Sequence, residues 1–158
     1  MLLKNLTQLQ DLVLFQVKIS SRLPNSLLNL SSLAIVDLTE TGLLGDLPYE
    51  IFQLPKLQIL SLGSNYNMTG NLLKVKWGCN SSLEELDLSY NQFSGPLPES
   101  LGNLTRITHL VLTRNGFTGR FPGQGNNRNG EIPNFFAKLL KLEYLGLGAN
   151  NFSAVPFP

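Results

Sequence analysis

The stretch Leu83-Glu-Glu-Leu-Asp-Leu-Ser-Tyr-Asn-Gln-Phe-Ser-Gly-Pro-Leu-Pro-Glu-Ser-Leu-Gly-Asn-Leu104 contains the phrase Leu86-Asp-Leu88, which recurs along the chain. Its second leucine has counterparts at positions 14, 38, 62, 112 and 147, so the six phrases stand 24, 24, 26, 24 and 35 residues apart. A repeat of this length is one supersecondary unit that cannot bury its apolar face alone, so neighbouring units must stack. The spacing therefore predicts an array of stacked coils with one continuous core.

The alternation of residues around each phrase predicts a short strand. In the second unit Val36 and Leu38 flank Asp37, so we expect the two apolar side chains to point inward. A period of about 24 residues on this phrase is the signature of a leucine-rich-repeat solenoid. We predict a single array over residues 1–158, with a parallel sheet on the concave side and short 3₁₀, α-helical or irregular segments on the convex side. Its units span about residues 6–29, 30–53, 54–79, 80–103, 104–138 and 139–158.

The composition favours a folded globular chain whose charge is nearly balanced. The 158 residues include 12 basic and 11 acidic side chains, and 42% of them are hydrophobic. Without a basic stripe, we expect no nucleic-acid partner. No apolar run reaches the length of about 18 residues that a membrane helix needs, so we expect no membrane contact by this segment.

An asparagine follows most of the predicted strands. Four units carry it, at Asn65, Asn91, Asn115 and Asn150, whereas Val17 and Thr41 take its place in the first two units. An asparagine amide has two donor hydrogens and an acceptor oxygen, and can therefore bond the backbone of adjacent coils. Because valine cannot make these bonds, we expect looser or water-bridged turns at that end.

Two units depart from the 24-residue period. The third is two residues longer, and Leu73 stands where a Gly-x-apolar-Pro phrase predicts proline. The fifth has 35 residues and carries the polar, glycine-rich loop 119–133 between two such phrases. This loop is either an insertion of 11 residues in one unit or the remnant of two units that have lost 13 residues between them. We expect it to be a flexible surface loop or the result of an incorrect gene model, the alternative being an island that contacts a ligand.

The residues 83–104 resemble the plant-specific leucine-rich repeat. Two further segments resemble plant receptor-like proteins: Asn5-Leu-Thr-Gln-Leu-Gln-Asp-Leu with Ile19-Ser-Ser, and Asn65-Tyr-Asn-Met-Thr-Gly-Asn-Leu with Trp77 and Asn80-Ser-Ser-Leu83. The resemblance implies a recognition module for a protein or peptide ligand, at the extracellular face of the plasma membrane, in defence or developmental signalling. It also implies partner receptor kinases for the full-length protein. We find no signal peptide, membrane helix or cysteine-bearing cap in the sequence, so we expect an interior fragment or truncated product with uncapped ends.

Three alternatives stay open beside the receptor-like protein. They are a secreted inhibitor of microbial cell-wall enzymes such as polygalacturonase, a receptor-kinase ectodomain fragment, and a structural filler segment that touches no ligand. An enzyme is disfavoured, because His109 is the only histidine and no motif sets a nucleophile or second carboxylate beside it. A single His and a single Cys on different coils form no metal site, so we expect neither metal nor cofactor.

The candidate binding residues face solvent from the predicted concave sheet. Aromatic side chains and arginine are enriched among residues that dominate binding energy, and charged groups add specificity. Asp37 and Asp87 recur at one position two units apart, which favours a structural role for both. The binding candidates are Phe15, Glu40, Glu85, Tyr90, His109, Arg114 and Tyr144.

The sequence also contains acceptors for glycans and a single cysteine. Six Asn-x-Ser/Thr acceptors for N-linked glycans occur, at Asn5, Asn29, Asn67, Asn80, Asn103 and Asn151. Cys79 is the sole cysteine and has no partner within the chain. We expect its side chain to be buried as a small apolar group, the alternative being an intermolecular bridge or a reactive thiol.

Overall fold

Six short parallel strands form a concave sheet in the computed structural model, which describes residues 5–120 and 135–153. In sheet order they are β1 (Asp11–Val13), β2 (Ile35–Asp37), β4 (Ile59–Ser61), β6 (Glu85–Asp87), β8 (His109–Val111) and β10 (Tyr144–Gly146). The central residue of each of the four inner strands is fully buried, so the predicted alternation is correct. The solenoid fold expected from the period is confirmed.

A second parallel sheet lies beside the first and was not predicted from the sequence. Its strands are β3 (Leu44–Asp46), β5 (Asn67–Gly70), β7 (Gln92–Pro96), β9 (Gly116–Arg120) and β11 (Asn151–Ser153). These segments follow the turns after the concave strands and lack clear alternation, because glycine interrupts four of them and proline one. Stacking nevertheless holds extended segments of adjacent coils one strand spacing apart, where their backbone groups can pair.

The convex side consists of short 3₁₀ helices, within the range of structures expected there. They span Asn25–Asn29, Tyr49–Gln53, Leu72–Lys74, Glu99–Asn103 and Phe136–Lys138. Prolines precede the first, second and fourth of them. In the third unit this capping position belongs to Asn71, whose side chain accepts a hydrogen bond from the Leu73 backbone N–H at 3.0 Å. The expectation that Leu73 replaces the proline is therefore wrong, because the helix begins earlier in this longer unit.

The asparagine turns link adjacent coils through buried hydrogen bonds. Asn65 is fully buried, and its amide donates to the carbonyl oxygens of Leu38 and Leu62 at 2.9 Å each. Its Oδ1 accepts from the backbone N–H groups of Thr41 and Leu43 at 3.1 and 2.9 Å. One side chain thus satisfies backbone groups of two coils that lie outside the strand ladders.

The first two units show how the turn adapts when asparagine is missing. Thr41 is buried, and its hydroxyl donates to the Leu38 carbonyl at 2.7 Å, so this turn is tight rather than loose. Val17 is half exposed, and its backbone N–H donates to Leu14. The expectation of a looser turn is therefore wrong for Thr41, because its hydroxyl supplies one of the missing bonds.

Asn91 makes the donor bonds of the asparagine turn but lacks the acceptor bonds. Its amide donates to Leu62, Leu88 and Ser89, but its buried Oδ1 has no partner among the described residues. In the other units this oxygen accepts from an N–H of the preceding coil, as Asn115 does from Phe93. The third unit has an extra residue after Asn65, and the backbone N–H of Met68 donates to the Asn65 carbonyl instead. One additional residue thus removes the donor.

The long fifth unit forms one coil of the concave sheet. β8 pairs directly with β10, and β9 pairs directly with β11. The predicted loop 119–133 lies outside the described residues apart from Gly119 and Arg120, which end β9. The 35-residue step therefore adds no strand between β8 and β10.

Replacing Asn65 with alanine is expected to destabilise the chain more than the same change at Asn91. Asn65→Ala removes both donor and acceptor bonds and leaves buried backbone N–H groups unpaired, at a cost of at least about 3 kcal/mol. Asn91→Ala removes donor bonds but also the unpaired oxygen, so its cost is about 1–2 kcal/mol. Urea unfolding of both variants measures the difference. Equal losses would contradict the role assigned to the Asn65 acceptor bonds.

Candidate functional site

The concave sheet aligns its solvent-facing residues in rows, because its parallel strands pair in register. Equivalent positions of successive coils are then one strand spacing apart, about 4.8 Å. The first row is Asp11, Ile35, Ile59, Glu85, His109 and Tyr144. The second row is Val13, Asp37, Ser61, Asp87, Val111 and Gly146.

A further row follows the strands and has an unusual backbone. At this position all six units have a non-glycine residue with φ between 54° and 60°: Gln16, Glu40, Ser64, Tyr90, Arg114 and Ala149. This left-handed conformation costs an L-residue roughly 1 kcal/mol. Because every unit adopts it, the turn itself requires it, and the side chains are held on short, strained turns rather than on mobile loops.

Two pairs of aromatic and basic side chains lie on the fourth to sixth coils. The Arg114 guanidinium lies over the Tyr90 ring, with its Cζ 5.3 Å from the ring centroid. The rings of His109 and Tyr144 are stacked, with centroids 6.1 Å apart and planes inclined by 17°. Tyr90 is 41% exposed and Tyr144 52% exposed, so each pair presents aromatic surface to solvent.

The surface between the two pairs consists mostly of small side chains. Val111 and Gly146 end β8 and β10, and Ser89, Thr113 and Gly148 follow β6, β8 and β10. Asp87, which ends β6 beside Val111, borders this surface. A Cβ on Gly146 would lie 2.9 Å from Thr113 Oγ1 and 3.2 Å from Tyr144 Cε1. Glycine here therefore lets the tyrosine ring lie close to the strand. We call this surface, with its two flanking pairs, the concave trough.

The trough brings together five of the seven predicted binding residues. Glu85 completes it, because the register places it directly beside His109 on the neighbouring strand. Phe15 is 50% exposed but lies beyond β1, at the opposite end of the sheet. Glu40 lies beyond β2, where it accepts a hydrogen bond from the Gln16 amide at 2.8 Å. Phe15 and Glu40 are thus on the same face but outside the trough.

The two recurring aspartates shape their own turns. Asp37 Oδ1 accepts from the Thr39 backbone N–H at 3.0 Å, and Asp87 Oδ1 accepts from the Ser89 backbone N–H at 2.8 Å.

Sequence reasoning did not single out Gly63 and Gly146, which make room for neighbouring side chains. A glycine inside a strand pattern is a signal of such close approach.

Cys79 is exposed, so the expectation of a buried thiol is wrong. It lies in the convex segment after Trp77, whose ring packs edge-on against Phe52 at 5.3 Å. The larger indole fills this part of the core and leaves the cysteine outside.

Among the described residues, no group of three or more His, Cys, Asp or Glu side chains is placed to hold a metal ion. The same residues contain no helix long and apolar enough to cross a membrane.

The six glycan acceptors all lie away from the concave sheet. Asn29 and Asn103 end convex 3₁₀ helices, and Asn67 and Asn151 begin strands of the second sheet. Asn5 and Asn80 are exposed and lie outside both sheets. Asn103 alone is half-buried, and its amide donates to the Trp77 carbonyl at 2.9 Å. Glycans on the other five would leave the concave face open.

Comparison with known proteins identifies the class. Residues 82–104 match the family model described as Leucine Rich Repeat. Over 120 residues the chain is 38% identical to receptor-like protein 39 of Arabidopsis thaliana. The aligned region covers 75% of this chain and 13% of that protein. It is 39% identical over 108 residues to receptor-like protein Cf-9 of Solanum pimpinellifolium, covering 68% of this chain and 12% of that protein.

A solved structure extends the similarity to the three-dimensional fold. The plant peptide hormone receptor RGFR1, solved in complex with RGF2, superposes with a TM-score of 0.73 at 27% identity. The match covers 90% of this chain and 21% of that receptor. The chain is therefore a leucine-rich-repeat protein. Its repeats are of the plant receptor-like protein type, as the resemblance predicted, and it spans about an eighth of the length of the relatives it matches.

The environment of the acceptors predicts which of them carry glycan after secretion from eukaryotic cells. Thr105→Ala and Ser31→Ala destroy the acceptor sequences of Asn103 and Asn29 at exposed residues, without changing either asparagine. We expect Thr105→Ala to leave the glycan mass unchanged, because the Asn103 amide is already bonded and half-buried. Ser31→Ala is expected to remove one glycan. Intact mass spectrometry measures both, and loss of a glycan in Thr105→Ala would contradict the assignment.

Proposed function

We propose that this chain is a ligand-recognition segment of a plant cell-surface receptor-like protein and binds an extended peptide, or a protein loop, in the concave trough. The observation that carries the proposal is the placement of two aromatic and basic pairs on either side of a floor of small residues. From His109 to Arg114 the strand and turn comprise five residue steps, which span at most about 16 Å. That width accommodates the backbone and side chains of one extended chain.

The proposed binding requires no chemistry by the protein. Tyr90, Arg114 and Tyr144 belong to the residue types that dominate binding energy, and their partly exposed rings are held in fixed positions. The stacked coils supply a rigid support, so little conformational entropy is lost on binding. RGFR1, whose structure is described as that of a peptide hormone receptor, has a similar fold. These features support recognition without enzymatic activity.

The similarity to receptor-like proteins also supports a location and partners for the whole protein. We propose that the segment faces the extracellular side of the plasma membrane, where its glycan acceptors would be modified. The solved complex of HAESA with the peptide IDA and the co-receptor SERK1 has a related fold, with a TM-score of 0.60 at 26% identity. By analogy, we propose receptor kinases as partners of the full-length protein.

Glycine substitution at the left-handed positions tests the trough without straining the fold. The double variant Tyr90→Gly and Arg114→Gly removes one wall and at the same time relieves the positive-φ strain. Selection from a displayed pool of random octapeptides is expected to yield binders of the original chain. Their affinity for the double variant should fall by at least about tenfold, because hot-spot truncations cost about 2 kcal/mol or more. Fluorescence anisotropy with the selected, labelled peptides gives the ratio.

The matched control is Ser64→Gly with Ala149→Gly. These residues occupy the same backbone position in other coils, with φ of 57° and 54°. We expect the control to bind the selected peptides as the original chain does. If both double variants bind equally well, the trough is not the site, and the structural-filler alternative gains support.

A further inference from the structure

The charges of this chain are divided unevenly between the concave face and the rest of the molecule. We define the concave face as four residues per coil, at the positions that Glu85, Asp87, Ser89 and Tyr90 occupy in the fourth. Among these 24 positions are five carboxylates and one guanidinium. The carboxylates belong to Asp11, Asp37, Glu40, Glu85 and Asp87, and the guanidinium to Arg114.

This distribution differs from that of the whole sequence, which has 11 acidic and 12 basic residues. With His109 neutral, the face has a formal charge of −4, from five acidic groups and one basic group, and the remainder of the sequence has +5. The near-neutral total therefore conceals an acidic concave face. Field lines from like charges on one concave surface add together, which favours an oppositely charged ligand.

The acidic groups are unevenly distributed along the face. All five lie on the first four coils, whereas Arg114 and His109 belong to the fifth. Four strand spacings separate β1 from β8, a distance of about 19 Å. An extended peptide covers that distance with about six residues. The face thus has a charge polarity on the scale of a short peptide segment.

The geometry leaves these carboxylates accessible. Asp11, Glu40 and Glu85 are exposed, and Asp37 is partly exposed. A Cβ on Gly63 would lie 3.2 Å from Asp87 Oδ2, so the missing side chain on the third coil gives this carboxylate its space. Asp87 uses Oδ1 for its own turn, which leaves Oδ2 directed over the third coil.

We propose that the ligand of the concave face is a basic peptide, with lysine or arginine side chains over the first four coils and an uncharged or acidic part over Arg114. This inference rests on the proposed function and specifies the chemistry of its ligand. Complementary charge over several coils speeds encounter and rejects peptides of the wrong sign. The aromatic pairs of the trough then hold the part of the peptide that lies over the fifth and sixth coils.

A fourfold acid-to-amide variant tests the proposal: Asp37→Asn, Glu40→Gln, Glu85→Gln and Asp87→Asn. Asparagine keeps the Oδ1 acceptor that each aspartate uses in its turn. The matched control changes four exposed carboxylates outside the face: Glu50→Gln, Glu84→Gln, Glu99→Gln and Glu143→Gln. Both variants gain four formal charges, so net charge cannot distinguish them. Thermal unfolding monitors the fold of each.

The probe is the displayed pool of random octapeptides, selected separately on the original chain and both variants. We expect lysine and arginine to be enriched at least about threefold by the original chain and by the control, and not by the acid-to-amide variant. A selected peptide, labelled with fluorescein, should bind that variant at least about tenfold more weakly than the control. The difference should shrink in about 0.5 M salt, which screens exposed charges.

Three outcomes would overturn the proposal. Equal enrichment of basic residues by both variants would show that the concave carboxylates do not select the ligand. Selected peptides without basic enrichment that still depend on Tyr90 and Arg114 would overturn the basic ligand but leave the proposed function standing. If no peptide is selected at all, both fail. Should the fourfold variant unfold, the exposed single substitutions Glu40→Gln and Glu85→Gln carry the same comparison.

Discussion

The buried amide of the asparagine turn is the interaction on which the rest of the structure depends. Leucine packing drives the coils together, but it is non-directional and leaves their relative position undetermined. The amide of Asn65 adds direction, because its donors and its acceptor engage backbone groups on both its own coil and the preceding one. It thereby reinforces the register in which the concave strands pair, a register that the two coils without asparagine share, and this register sets the rows of the binding face.

The position of the turn also explains how a stable scaffold presents variable side chains. The residue directly before the asparagine position always has a positive φ, whichever residue it is. Tyr90 and Arg114 occur at two of these positions, on adjacent coils, which brings the guanidinium over the ring. The scaffold therefore converts a separation of 24 residues in sequence into contact in space.

The sequence predicted the repeated elements well, because each depends on residues that recur. The concave strands, their inward leucines and the pairing of His109 with Glu85 and Tyr144 all follow from the period. Predictions failed where a single position decided the result. The buried Trp77 leaves Cys79 exposed, Asn71 rather than Leu73 holds the capping position, and the Thr41 hydroxyl tightens a turn expected to be loose.

The second sheet and the two ring pairs needed three-dimensional information for different reasons. In the second sheet, β3, β5, β7 and β9 contain glycine and lack an alternating pattern, so the alignment of adjacent coils is what makes them pair. The pair of His109 and Tyr144 depends on Gly146, whose missing Cβ gives the tyrosine ring its place. No local pattern in the sequence contains these relationships, because each joins residues of different coils or depends on available space.

The unpaired oxygen of Asn91 has a consequence for the mechanics of the array. In a one-dimensional stack the stability is a sum over neighbouring interfaces, so a bond missing at one place in an interface can be offset elsewhere in it. The extra residue of the third unit removes an acceptor bond from the joint between the third and fourth coils. Three side-chain hydrogen bonds nevertheless cross the same joint, from Gln92 to the Tyr66 carbonyl, from Ser100 to the Val75 carbonyl and from Asn103 to the Trp77 carbonyl. The coupling of these two coils is therefore distributed along the whole turn of the solenoid rather than concentrated at the buried amide.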